Sequence, residues 1–257
     1  MQTLREFVVN NDYFVVAHRG SSGTAPENTM AAYREAIEAG ALMIETDIQI
    51  TSDCNLVTFH DKSLKRVYEK DTLIKELNIN EIKEIDYGSW FNPKFSGERI
   101  PLLSEAISYL RDKAYLNIEI KRIEPELFDL TLNKLLQIIY DANYEGNLLV
   151  SSFHYNLLKH FRKLEPTIPI APIKIPNDNT LPSRLFDELG CEAYVCSLSE
   201  LNDSLVSDAE SRNIFLGVYS VDNAEQLQQI LKYNIKAIVT NYPARIIGEM
   251  RKLNINI

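Results

Sequence analysis

The chain has 257 residues, 45% of them hydrophobic and 25% charged, a balance that suits a soluble globular protein able to bury a large core without staples. Thirty-six acidic against 27 basic residues leave a net charge of −9, which argues against a nucleic-acid partner, since that needs a basic face, but leaves room for a phosphate held by a cation and a few local bases. No apolar run approaches the roughly 18 residues of a membrane span, and Met1 to Asp12 carries no apolar signal core, so the expectation is a cytoplasmic protein without stable membrane insertion.

Strand-like and helix-like runs alternate along nearly the whole chain. The strands fall at Tyr13–His18, Met43–Ile50, Tyr115–Ile120, Leu148–Ser152, Ile168–Ile173, Ala193–Ser197, Ile214–Val221 and Ala237–Thr240. Between them lie helical patterns at Thr29–Ala39, Ser104–Lys113 with Ser104 as cap, Leu127–Ala142, Tyr155–Leu164, Leu181–Leu189, Asp203–Arg212, Ala224–Tyr233 and Ala244–Leu253. Eight of each in alternation fit a (β/α)8 TIM barrel, an α/β fold formed by residues 1–257 as one domain. An open doubly wound sheet shares the alternation, because periodicity does not report closure. The three cysteines, Cys54, Cys191 and Cys196, are too few for a disulfide framework or a zinc knuckle and read as reduced thiols.

One segment breaks the rhythm. About fifty residues, roughly 51–101, separate the second strand from the helix at Ser104. Thr51 to Asn55 reads as a polar turn and Leu56 to His60 as a returning strand, so the insertion opens with a β-hairpin. The remainder, with Trp90, Phe91 and Phe95, reads as a small cap, since insertions after barrel strands sit on the catalytic face.

The strand ends carry the chemistry. The first strand runs into His18-Arg19-Gly20, placing a proton carrier and an anion-binding fork at the rim. Glu45 and Asp47 lie two apart on the second strand and share a face. Their apolar neighbours turn that face inward, where paired carboxylates need a cation. On the next strand Asn117, Glu119 and Lys121 alternate with Leu116, Ile118 and Ile120, so Glu119 joins the pair. An all-oxygen set favours one hard divalent cation, Ca2+ or Mg2+, and Lys121 adds positive charge for a substrate phosphate. With the hairpin turn centred near Asp53 and Cys54, His60 falls opposite Asp47 and returns a second histidine to the rim. His18 and His60 are then an acid–base pair, whereas His154 and His160 sit in a helical stretch without partners and read as structural.

These residues resemble the glycerophosphodiester phosphodiesterase family of the phosphatidylinositol phospholipase C-like superfamily. The matching text is His18-Arg19-Gly20, Ala25-Pro26-Glu27-Asn28-Thr29, Glu45-Thr46-Asp47, His60-Asp61, Gly97 to Leu102, Asn117 to Lys121, Ser151-Ser152-Phe153, Gly217 to Asp222 and Thr240-Asn241-Tyr242-Pro243. The resemblance spans about residues 15 to 245 and implies a barrel with an insertion after the second strand. It implies metal ligation by Glu45, Asp47 and Glu119, acid–base roles for His18 and His60, and phosphate contacts from Arg19 and Lys121. Glu27, Asn28 and Tyr219 would line the site. The implied reaction is metal-dependent hydrolysis of a small glycerophosphodiester to sn-glycerol 3-phosphate and an alcohol. The chain departs from the family pattern at Cys54, where a glycine is usual, at Tyr219 in place of tryptophan, and at Asn241 in place of a frequent aspartate. None of the three is expected to touch a metal or acid–base residue.

Rival readings are a lipid-directed phosphodiesterase using the Trp90, Phe91 and Phe95 patch, a sugar-phosphate isomerase or aldolase barrel, and a non-catalytic barrel. The late loops Ser220 to Asn223 and Asn241 to Pro243 lack the glycine-rich phosphate cradle that the isomerase reading requires. The head group, the metal, the division of labour between the histidines, the attacking oxygen (water or the substrate's own hydroxyl) and the oligomeric state are left open by the sequence.

Overall fold

The computed structural model describes residues 1–68 and 71–255, and it begins with a helix that the sequence pattern did not suggest. Helix α1 (Leu4–Asn10) opens on a capping box, in which Glu6 accepts from the Thr3 N–H at 2.8 Å while the Thr3 hydroxyl accepts from the Glu6 N–H at 3.4 Å. Its Leu4, Phe7 and Val8 are buried. Seven residues are too short for a clear helical period, which is why the segment reads as featureless in sequence.

Strand β1 (Phe14–His18) leads through a rim loop to α2 (Met30–Ala39), capped by the Thr29 hydroxyl, which accepts from the Ala32 N–H at 3.2 Å. Strand β2 (Met43–Ile50) turns back as β3 (Leu56–Thr58). The inserted segment continues with α3 (Lys65–Tyr68) and α4 (Ile79–Glu84), and the chain rejoins the alternation at α5 (Leu103–Leu110). The residue at the α5 cap is Leu102, not Ser104: Glu105 accepts from the Leu102 N–H at 2.9 Å, and Ser104 falls inside the first turn. Next come β4 (Tyr115–Ile120), α6 (Phe128–Asp141), β5 (Leu148–Ser152), α7 (Tyr155–Leu164), β6 (Ile170–Pro172) and α8 (Pro182–Leu189). The chain ends with β7 (Ala193–Ser197), α9 (Asp203–Glu210), β8 (Phe215–Tyr219), α10 (Ala224–Ile230), β9 (Ala237–Thr240) and α11 (Pro243–Lys252).

The parallel strands run in the order β6-β5-β4-β2-β1-β9-β8-β7, with β3 paired antiparallel to β2 off that path. The β6–β7 seam closes through the Ile173–Val195 bridge and the bonds from Lys174 N–H to Val195 O at 2.7 Å and Glu192 N–H to Ile170 O at 3.2 Å. The expected (β/α)8 barrel therefore forms, nearly closed, and the open sheet is set aside. Alternation sorts the side chains as the period of two requires. Val15, Ala17, Ile44, Ile48, Leu116, Ile118 and Ile120 face the helices and join the main core. Phe14, Val16, Met43 and Tyr115 pack inside the barrel against α1, where the Phe7 ring stacks on Tyr115 at 4.5 Å.

The insertion packs an apolar cluster of its own, including Val57, Phe59, Leu64, Ile74, Ile82 and Tyr87. Trp90, Phe91 and Phe95 form a run of edge contacts, 5.7 and 5.8 Å between centroids, and are half-buried. Cys54 takes a positive φ of 61° at the hairpin turn. That conformation is natural to glycine, the residue usual here in the family pattern, and costs a side-chain-bearing residue some strain. Cys191 and Cys196 are buried free thiols, and burial pushes both up to about 12, so neither is a ready nucleophile.

Candidate active site

Three adjacent strands deliver the acidic cluster. His18 is in register with Glu45 across β1 and β2, and Glu45 with Asn117 and Asp47 with Glu119 across β2 and β4. The inward alternation brings Glu45, Asp47 and Glu119 together: one carboxylate oxygen of each lies within 4.8 Å of the others, and all three residues are buried. Burial and the neighbouring carboxylates push Glu45 well above the usual range and Glu119 up to about 7. Burial pushes Asp47 up too, but Lys121 and Arg19 overcome it and hold Asp47 below the ordinary range. Glu45 Oε1 and Asn117 Oδ1 are buried without a hydrogen-bond partner among the described residues. Orphaned inward oxygens in an all-oxygen set fit a hard divalent cation, so the trio can hold a metal ion.

Two cations face the trio. Lys121 Nζ lies 2.5 Å from Glu119 Oε1 and 2.9 Å from Asp47 Oδ1. Arg19 has φ 56°, uncommon for a bulky residue, and this turn aims its N–H at Glu45 Oε2 at 2.9 Å. Its guanidinium reaches Asp47 Oδ2 at 3.0 Å and Glu27 Oε1 at 3.3 Å. Gly20 follows at φ 77°, where an added Cβ would meet the Ala32 backbone at 2.6 Å; the third residue of His18-Arg19-Gly20 has no space for a side chain.

Asn28 is wholly buried behind Asp47. Its Nδ2 donates to Asp47 Oδ2 at 2.8 Å, and its Oδ1 accepts from the Thr46 hydroxyl at 2.9 Å and the Asp47 N–H at 3.2 Å. It orients a carboxylate and does not face the open cavity. Glu27 is likewise set back, bridging Arg19 and Arg66, with Arg66 Nη2 at 2.5 Å.

The histidines approach from the two sides. The β2–β3 register pairs Ile48 with Thr58, and the Phe59 N–H donates to Asp47 O at 3.1 Å. Phe59, not His60, therefore lies opposite Asp47, because the turn centres on Asp53, half a residue earlier than expected. His60 still reaches the rim, just past the strand, where Gln49 Nε2 donates to the carbonyls of His60 and Asp61 at 3.2 Å each. His60 Nδ1 is 2.6 Å from Asp61 Oδ1, so this nitrogen donates to the carboxylate. Arg66 Nε grips the other Asp61 oxygen at 2.6 Å, which links His60 through Asp61, Arg66 and Glu27 to Arg19.

His18 has an uncharged partner. Its Nδ1 is 2.8 Å from Asn241 Oδ1. The amide is oriented by Asp222, which accepts from Asn241 Nδ2 and from the Asn241 N–H, each at 2.8 Å. Asn241 Oδ1 thus faces the imidazole and His18 Nδ1 donates, leaving Nε2 as the acceptor turned toward Glu45 at 3.9 Å. Burial, then Arg19, lower His18 to about 4, and burial also lowers His60. Asn241 corrects the expectation that the three departures stay clear of the acid–base residues. The contact spans 223 positions and exists because β9 closes onto β1, so no local motif announces it.

His18, Arg19, Glu45, His60, Glu119 and Lys121 share a cavity of about 160 Å3, walled on the far side by Phe153, Ile173, Val195, Tyr219 and Val239. Tyr219 is thus brought beside the acidic cluster from β8. His154 stands just before α7, and the half-buried His160 pairs with Asp129 at 2.6 Å; neither borders this cavity. Sequence reasoning gave no part to Arg66 or Asp222. A lone arginine in a polar insertion carries no local signal, and the position of Asp222 acquires meaning only through Asn241.

A family model for the glycerophosphoryl diester phosphodiesterase family matches residues 18–245. Glycerophosphodiester phosphodiesterase of Caldanaerobacter subterraneus subsp. tengcongensis is 34% identical over 241 residues, covering 93% of this chain and 98% of its own. Glycerophosphodiester phosphodiesterase of Bacillus subtilis is 27% identical over 245 residues, covering 89% and 83%. Among solved structures, an Oleispira antarctica phosphodiesterase in complex with the product sn-glycerol-3-phosphate superposes with a TM-score of 0.86 at 28% identity, covering 93% of this chain and 96% of its own. With its acidic trio and paired histidines set at the rim of a matching barrel, the chain belongs to the glycerophosphoryl diester phosphodiesterase family.

Proposed function

We propose that this protein hydrolyses glycerophosphodiesters to sn-glycerol 3-phosphate and an alcohol, with Glu45, Asp47 and Glu119 holding Ca2+ or Mg2+. The observation that carries this is the convergence of three buried carboxylates, two cations and two histidines on one cavity. When bound, the cation supplies Lewis-acid stabilisation of charge on the phosphoryl oxygens. Arg19 and Lys121 add fixed positive charge facing the same space.

The two imidazoles differ in what stands behind them. Asn241 offers His18 an uncharged acceptor, which favours the neutral ring with a free Nε2. Asp61 offers His60 a carboxylate, which works toward the imidazolium against the burial that lowers this ring, a support that His18 lacks. His18 is therefore assigned as the base that takes the proton of the attacking oxygen, and His60 as the acid that protonates the departing alkoxide. Asn28 and Glu27 hold Asp47 and Arg19 in position.

The test is release of glycerol 3-phosphate from glycerophosphoethanolamine with Ca2+, with Mg2+ and with chelator. Metal-supported release that chelator abolishes is expected, and His18→Ala and His60→Ala should each leave a folded protein slowed by about 10²- to 10⁴-fold, the usual worth of a positioned acid or base. Failure of every small glycerophosphodiester with either metal, alongside turnover of a lysophospholipid, would move the assignment to a lipid-directed enzyme.

A further inference from the structure

A second cavity lies on the opposite face of the barrel from the acidic cluster. Barrel interiors are normally filled by layers of bulky branched side chains. Here the filling is lopsided. Phe14, Val16, Met43 and Tyr115 fill the β1, β2 and β4 side above α1, whereas the inward positions of β6 to β9 include Ala171, Ala193, Gly217 and Ala237. A hollow of about 350 Å3 results, roofed by strand starts and floored by Leu4 and Val8 of α1. Its walls are reachable from outside: Leu149, Ala193, Phe215 and Ala237 are half-buried where a filled barrel would bury them completely.

The lining is apolar apart from the buried Asn117 and, at the mouth, Arg5, Glu192, Asn213 and Lys236. The charges there do not cancel. Glu192 Oε2 is held by Arg162 Nη2 at 2.8 Å and the Ile170 N–H at 3.0 Å, and Arg5, with a side chain 79% exposed, meets Oε1 only at 4.0 Å. Lys236 donates to a neutral acceptor, Asn11 O, at 2.7 Å. An apolar hollow larger than the engineered void of about 150 Å3 that binds benzene, with surplus positive charge at its entrance, suits an alkyl chain ending in an anion.

We propose that the cavity between α1 and strands β6 to β9 is a binding site for a single-chain anionic amphiphile, a fatty acid anion, with the chain inside and the carboxylate at Arg5 and Lys236. The site opens at the other end of the barrel from the catalytic cavity, with Asn117, Val195 and Val239 forming the layer between the two, and it does not depend on the function proposed above.

Isothermal titration of the full chain with laurate in divalent-free buffer tests this. One-to-one binding in the micromolar range is expected, weakened tenfold or more by Arg5→Glu and abolished by Ala237→Leu, which fills the hollow. Ala193→Leu serves the same purpose should Ala237→Leu not fold, and circular dichroism checks each variant. Absence of binding would overturn the proposal. So would laurate binding that survives both filling substitutions, which would place it elsewhere, or equal affinity for dodecyltrimethylammonium, which would remove the role of the anionic head.

Discussion

Replacing Asn241 by leucine would strand three partners at once, the His18 Nδ1 proton, the Ser22 hydroxyl and the Asp222 Oδ2 that orients the amide. The expected result is a folded protein whose kcat falls by about tenfold or more, part of the ~10²- to 10⁴-fold that a positioned acid or base contributes, with KM little changed because Asn241 does not border the substrate cavity. A drop in KM affinity with kcat intact would show that Asn241 acts on binding instead. Sequence and structure diverge most clearly at this residue. Glu45, Asp47, Glu119 and Lys121 are legible because the period of two puts neighbours in sequence on one face, so a carboxylate pair within a run of isoleucines can only be an inward pair. Asn241 is illegible for the complementary reason: its contact with His18 depends on barrel closure, and a single strand carries no mark of which partner closes on it.

Elements were legible in proportion to their length and periodicity. The eight barrel strands and their helices follow from alternation, whereas α1 leaves no period and the hairpin register shifts by one when its turn centre moves by half a residue. That shift puts Phe59, the residue the cap buries, opposite Asp47, and leaves His60 to be carried by the loop that Gln49 holds. For α1 the packing makes a quantitative expectation. Phe7 is 3% exposed, stacks on Tyr115 and meets Phe14 at a tilt, so Phe7→Ala should cost about 3–5 kcal/mol of folding stability, the usual range for deleting a buried aromatic ring. A urea titration measures it. Turnover under native conditions should be unchanged, since the helix sits beneath the barrel, on the face away from His18 and His60.

For the molecule as a whole, the acidic trio ties stability to pH and to cation. Glu119 is raised from about 4.5 to about 7 by burial and by Asp47, and Glu45 is raised in the same direction. A carboxyl raised in the folded state binds more protons there than in the unfolded chain, so stability is highest below the unfolded value and is lost as pH rises through the folded one. In chelator, the melting temperature should therefore fall between pH 5 and pH 8, roughly the window set by those two values, and adding Ca2+ at pH 8 should restore it. Glu119→Gln should flatten the fall; an unchanged slope would show that this carboxyl is not the linked group. The barrel class was legible from sequence, but its seam and its uneven filling were not, because both arise from how eight strands share one interior. The β2 strand carries a further consequence. β1 stops at His18, level with Glu45, and further along β2 the Asn28 amide and then β3 take up the backbone groups that β1 no longer reaches. Excising residues 51–101 outright would consequently remove His60 and also expose a bare strand margin, and bare margins recruit other chains. Such a trimmed protein should precipitate as intermolecular β-structure, so redesign of the cap has to keep the three residues Leu56–Thr58 as a built-in edge guard, together with His60 beyond them.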